Sequence, residues 1–183
     1  MYELDVTLTH AINGLSERVG ALDFLMIWIS AIGVPFLILA VAALWWSRID
    51  RLHTRHVLVA TGLSFILGLA LNQFILLFIQ RMRPYDGGVT HLLIERSADY
   101  SFPSDHATAA FAIAAAFHLH GMRRVGLGFL AAAALVTLSR VYIGTHYASD
   151  IVGGALTGIL AAVLVRASYR ENTRFDRIIT GIF

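Results

Sequence analysis

The 183-residue chain is 57% hydrophobic and only 14% charged, far below the roughly 25% charged residues usual for a soluble domain, which excludes an ordinary water-soluble fold. All fourteen basic residues are arginines, so the formal net charge of +2 is carried without a single lysine. With no cysteine, disulfides, thiolate metal sites and cysteine nucleophiles are excluded as well, and one domain of 1–183 fits the length.

The first 22 residues place Leu4, Leu8, Ile12, Leu15, Val19 and Leu22 at spacings of three and four, interrupted by Glu3, Asp5, Glu17 and Arg18. This is an amphipathic helix. It lacks the basic start and pure apolar run of a signal peptide, and either lies in the membrane interface or packs on a helical bundle. Five apolar blocks follow, at about 24–46, 57–79, 104–120, 125–141 and 150–167. The first two carry no charge and exceed the roughly 20 residues needed to cross a bilayer core. The later three are shorter, with His, Ser, Arg or Asp near their ends, and context makes them spans too, because so small a chain cannot cover two long uncharged helices by itself. The expected fold is all-α: an integral membrane bundle of about five transmembrane helices over 23–168, an interfacial helix over 1–22, and a cytoplasmic tail over 169–183. On the fifth block, Gly153, Gly154, Gly158, Ala155, Ala161 and Ala162 offer a small-residue face for close helix packing or for a homodimer contact.

Counted on alternating sides of these spans, Arg48, Arg51, Arg55, Arg123, Arg124, Arg166, Arg170, Arg174 and Arg177 fall on one side, against Arg18, Arg81, Arg83, Arg96 and Arg140 on the other. The positive-inside rule makes the richer side cytoplasmic. The outer side then receives the long connector containing both Pro84 and Pro103, and the unusual polar residues collect there. Arg83-Pro84 ends one helix. Pro103-Ser104-Asp105 opens another, whose free N–H groups and positive dipole end suit an anion, although simple capping explains a Pro-Ser-Asp alone. Ser139-Arg140 closes the fourth block, and His146 and Asp150 share one helical face four residues apart, where a carboxylate can orient an imidazole. Ionisable groups at a membrane boundary are costly unless used.

Arg83-Pro84, Pro103-Ser104-x-His106 and Ser139-Arg140-x5-His146-x3-Asp150 together resemble the three-part signature of the type 2 phosphatidic acid phosphatase (PAP2) superfamily. The resemblance runs from about Leu22 to Val165. Leu22-Asp23-Phe24-Leu25-Met26 and Ser101 to Thr108 look most like its bacterial undecaprenyl-diphosphate phosphatase branch. It implies that His146 attacks phosphorus to form a phosphohistidine, with Asp150 fixing its tautomer. His106 would protonate the leaving oxygen and then activate water. Arg83, Arg140, Ser104 and the amides around Asp105 would hold the phosphate, without a metal or other cofactor. The implied activity is conversion of undecaprenyl diphosphate to undecaprenyl phosphate on the periplasmic face of a bacterial inner membrane, in lipid-carrier recycling for cell-wall polymers. Phosphatidic acid or phosphatidylglycerophosphate are the alternative substrates, and a non-catalytic binder of phosphate lipids is the alternative class. The implied partners are a lipid phosphate and the bilayer, not nucleic acid.

Two departures stand out. Where relatives often carry a lysine seven residues before the first-motif arginine, this chain has Leu76, leaving Gln80, Arg81 and the Pro84 region as weak substitutes. Asp105 stands where many members have glycine, and its carboxylate would repel phosphate unless paired, for example with Arg81 or Arg96. In the connector, His91, Glu95, Arg96 and Asp99 read either as solvated loop residues or as contacts to a second phosphate.

Overall fold

The computed structural model describes residues 2–182, among which helices are the only regular secondary structure. Its elements are α1 (Tyr2–Asn13), α2 (Gly20–Ala43, extended by a 3₁₀ turn over Leu44–Trp46), α3 (Arg51–Leu76), α4 (Asp105–Leu119), α5 (Arg123–Tyr142), α6 (Ala148–Ser168) and α7 (Arg174–Thr180). α2, α3, α5 and α6 are long and apolar enough to cross a membrane.

The third expected span, α4, is the shortest of the five. α4 has 15 residues, about 22 Å at ~1.5 Å per residue, short of a ~30 Å hydrocarbon core. It is the hub of the bundle, packed between α3, α5 and α6, with Ala107, Ala109, Ala110, Ala112, Ile113, Ala116 and Phe117 buried. Alanines let its neighbours approach closely, and α6 answers with glycine. A Cβ at Gly158 would stand 2.4 Å from the Thr108 carbonyl oxygen, and one at Gly154 2.4 Å from that of Ser104. These two glycines of the small-residue face, with buried Ala161 and Ala162, are therefore occupied within the chain. α2 lies on the flank, with Phe24, Trp28, Ile32, Phe36 and Leu39 exposed as a lipid-facing helix requires.

α1 is shorter than the expected 1–22 helix, and it packs on the bundle by its polar face while its apolar face stays exposed. Its buried residues are the polar Thr9 and Asn13, whereas Tyr2, Leu4 and Leu8 are exposed. The polar stripe meets the protein: Asn13 Nδ2 donates to the carbonyls of His91 (2.9 Å) and Tyr142 (2.8 Å), and the Ala148 amide donates to Thr9 Oγ1 (3.0 Å). The apolar stripe is left for lipid.

The expected tail after residue 168 contains α7, docked on α3. Its Asp176 is buried, accepting from Tyr169 Oη (2.5 Å) and His56 Nδ1 (2.8 Å), while Arg55 Nη1 donates to the Thr180 carbonyl (2.8 Å). His53 and His56, without evident partners in the sequence, belong to this clasp and its surroundings; His53 Nδ1 lies 3.0 Å from Glu171.

Candidate active site

Three connections meet at the end of the bundle opposite α7: 14–19, 77–104 and 143–147. Arg83, Pro103, Asp105, His106, Arg140 and His146 line one cavity of about 170 Å³ there, with Leu76, Ser97, Asp99 and Tyr100. Side chains from three separate motifs thus face one space. Two larger grooves on the bundle, one between α4 and α5 and one between α2 and α5, are almost entirely apolar.

His146 is placed by the tight α5–α6 turn. Gly144 has φ of +85°, and a Cβ there would sit 2.2 Å from the His91 carbonyl oxygen, so the turn requires glycine. The buried imidazole puts Nδ1 2.8 Å from the Ser101 carbonyl. A carbonyl only accepts, so Nδ1 carries the hydrogen and Nε2 keeps its lone pair. Nε2 lies 3.5 Å from Arg83 Nη1, on the cavity side. Burial pushes His146 below the ordinary imidazole value of 6.5, and the Arg140 and Arg83 charges push the same way against Asp150. A neutral, correctly tautomerised imidazole is what a nucleophile needs.

Asp150 acts at one remove. Its carboxylate is 3.6 Å from His146 Nδ1, so the Ser101 carbonyl, not Asp150, makes the orienting hydrogen bond. Asp150 accepts instead from the Ser101 hydroxyl, from the Tyr147 amide (2.8 Å) and from Arg81 Nη1 (2.7 Å). It fixes the segment that fixes the histidine and supplies negative charge beside it. Arg81 is not at the cavity: it also donates to Asp5 Oδ2 (2.6 Å) and Ser149 Oγ (2.6 Å) and lies 3.7 Å over the Tyr147 ring. Asp5 in turn accepts from the Ser149 amide (2.8 Å). Through Asp5 and Arg81, α1 braces the start of α6.

The two cavity arginines differ. Arg140 Nη1 donates to Ser30 Oγ (2.6 Å), and its Nε is buried with no partner, so this guanidinium retains donor capacity. Arg83 is engaged on every nitrogen: Nε and Nη2 donate to the Asp99 carbonyl (3.0 Å) and carboxylate (2.7 Å), and Nη1 to the Thr145 carbonyl (2.8 Å).

The remaining expected residues fall around this core. Ser104 is fully buried and caps α4; its hydroxyl accepts from the Ala107 amide (3.5 Å) and its own amide donates to the Asp150 carbonyl (3.1 Å). Asp105 pairs with neither Arg81 nor Arg96: Asn72 Nδ2 donates to it (2.7 Å), while Arg96 reaches Asp86 (3.3 Å). Gln80 accepts from Tyr100 Oη (3.1 Å) outside the cavity, and Pro84 is fully buried. Leu76 forms part of the wall, so no cation takes the lysine's place. Ser101, Asp5, Ser149, Asn72 and Ser30 escaped sequence reasoning, because each acts through a backbone group or a distant helix. Among the described residues no group of three or more His, Asp or Glu side chains is arranged to hold a metal ion.

Residues 57–174 match the PAP2 superfamily. The chain is 35% identical over 154 residues to undecaprenyl-diphosphatase BcrC of Bacillus subtilis, covering 84% of this chain and 78% of that one. It is 28% identical to the undecaprenyl-diphosphatase of Sulfolobus acidocaldarius, over 78% of this chain and 68% of that one. The crystal structure of a transmembrane PAP2-type phosphatidylglycerolphosphate phosphatase from Bacillus subtilis superimposes with a TM-score of 0.69 at 25% identity, over 95% of this chain and 88% of that chain. The chain belongs to the PAP2 superfamily and is a multi-pass membrane lipid phosphatase.

Proposed function

We propose that this protein hydrolyses undecaprenyl diphosphate to undecaprenyl phosphate and inorganic phosphate, with its site on the periplasmic face of the bacterial inner membrane. His146 Nε2 attacks the terminal phosphorus, forming a P–N bond as the bridging P–O bond breaks. His106 gives a proton to the departing lipid phosphate oxygen. The same His106 then takes a proton from water, whose oxygen displaces the imidazole and yields inorganic phosphate. Arg140 and Arg83 carry the charge of the transferring group, and no metal takes part. The observation that carries this chemistry is the Nδ1–H bond of His146 to the Ser101 carbonyl (2.8 Å), which leaves Nε2 as a lone-pair donor facing two arginines.

That the substrate is a lipid follows from where the cavity lies. Leu77, Phe78 and Met82, between α3 and Arg83, are 70%, 73% and 66% exposed, so the approach to Arg83 is apolar and suits a headgroup whose tail stays in the bilayer. The likeness to two relatives named as undecaprenyl-diphosphatases favours the polyprenyl diphosphate. Outward orientation rests on the arginine count, which puts nine of the fourteen at the far end.

The test is phosphate release by purified protein, in detergent with a chelator present, from undecaprenyl diphosphate, phosphatidic acid and phosphatidylglycerophosphate. Turnover highest on undecaprenyl diphosphate and indifferent to chelator is expected. Release from the glycerolipids alone would assign the activity borne in the name of the structural relative, and loss of activity with chelator would overturn the metal-free mechanism.

A further inference from the structure

Asp99 sits in the connector 77–104 and lines the cavity beside Arg83, Arg140, His106 and His146. An acid facing a phosphate site is an odd choice, since it repels the ligand the arginines attract. Its geometry is specific. The Nε/Nη2 edge of a guanidinium is the fork that grips two oxygens of a phosphate or carboxylate, and both nitrogens of that edge on Arg83 are spent on Asp99, one on its carbonyl and one on its carboxylate. The partners differ in freedom. The Arg83 side chain is 5% exposed and that of Asp99 61%, so Arg83 is fixed in the wall while the carboxylate can swing into water.

We infer that the Asp99 carboxylate is a resident competing anion, which occupies the Nη2 half of the phosphate-gripping edge of Arg83 and must swing away before a phosphate can take its place. Although burial works to raise the Asp99 carboxyl, the hydrogen bonds from Ser97 and Arg83 and the Arg83 charge hold it below its ordinary value of 3.8, so it competes as an anion at neutral pH.

The displacement cost is the same for any phosphate, but its consequence is not. A lipid phosphate can offset it with the binding energy of its tail, whereas free inorganic phosphate has no such reserve. Asp99 thereby leaves the ratio of the two affinities unchanged but keeps inorganic phosphate too weakly held to occupy the site, which promotes departure of the inorganic product.

This inference rests on the reading of the cavity as a phosphate cup, and binding measured without turnover separates the two. Inorganic phosphate is titrated into detergent-solubilised wild type, Asp99→Asn, Arg140→Gln and, as a control in the same connector, Asp86→Asn, with thermal unfolding to verify that each is folded. Asparagine keeps an oxygen for Arg83 but loses the charge. The expected result is roughly tenfold tighter phosphate binding in Asp99→Asn, about 1.4 kcal/mol, with the same gain in phosphate product inhibition and no change in Asp86→Asn. Unchanged or weaker binding in Asp99→Asn would overturn the inference, leaving Asp99 a brace for Arg83. Binding undiminished in Arg140→Gln would instead sink the phosphate-cup reading.

Discussion

At the scale of single residues, the site depends on guanidinium geometry. The chain contains no lysine, and Leu76 forms the wall where relatives often place one. Arg140 keeps an unpartnered Nε, and Arg83 holds Thr145, next to the nucleophile, while its Nε/Nη2 edge holds Asp99 at the cavity. An ammonium is a point charge and cannot keep both of those contacts. Arg83→Lys and Arg140→Lys are each expected to lower kcat/KM on the lipid substrate by about a hundredfold, the size of losing one preorganised donor; near-normal kinetics in both would refute the arginine clamp. The principal side chains were legible from sequence because Arg83, His106, Arg140 and His146 stand in motifs that resemble the PAP2 signature, and all four line the one cavity. The orienting Ser101 carbonyl was not. Every residue has a carbonyl, and only the packed fold decides which one meets Nδ1 of His146. For the same reason Asp150 was expected to hold the imidazole directly, whereas it holds the Ser101 hydroxyl, the Tyr147 amide and Arg81.

At the scale of elements, α1 is the least conventional part. Its apolar face points away from the protein, and its polar face ties Asp5 to Arg81 and Ser149, next to Asp150. Asp5→Asn is expected to reduce kcat about tenfold with little change in KM, since the lipid still binds while the His146 segment loses its brace; Asp5→Glu should restore part of the rate. Equal kcat in wild type and Asp5→Asn would show that α1 only anchors the chain to the interface. The sequence revealed this helix by its periodicity but gave the wrong extent, because Glu17, with φ of +64°, lies in the turn before α2, and a hydrophobic repeat does not register such a break. α4 fills the expected block at 104–120 almost end to end; its length is set by its caps, Ser104 and the His120 end, and it lies buried among α3, α5 and α6.

At the scale of the whole molecule, the two ends of the bundle do different work. One gathers the reacting groups; the other clasps α7 to α3 through the buried Asp176. Burial alone would raise the Asp176 carboxyl, but hydrogen bonds from Tyr169, His56 and the Asn172 amide outweigh it and hold the group below 3.8. A carboxyl depressed in the fold stabilises it above the unfolded value, and the contribution disappears as pH falls through the lower folded value. The clasp should therefore be intact at pH 5 and open only in acid below 3.8. Asp176→Asn should lower Tm at neutral pH by roughly 3–6 °C while leaving phosphate release per folded molecule unchanged; an unaltered Tm would mean that the clasp contributes nothing. Nothing in the sequence pairs His56 with Asp176, because the two are brought together only when the chain returns after α6 to the end of the bundle where α3 begins.

The chemistry at the other end stands or falls on His146 as the group that receives phosphorus. Wild-type protein turning over undecaprenyl diphosphate, rapidly quenched under alkaline conditions that preserve phosphohistidine, and mapped by peptide mass spectrometry, should carry one phosphoryl group on His146, absent from His146→Ala. Turnover that survives in His146→Ala, or a phosphoryl group found on another residue, would contradict it.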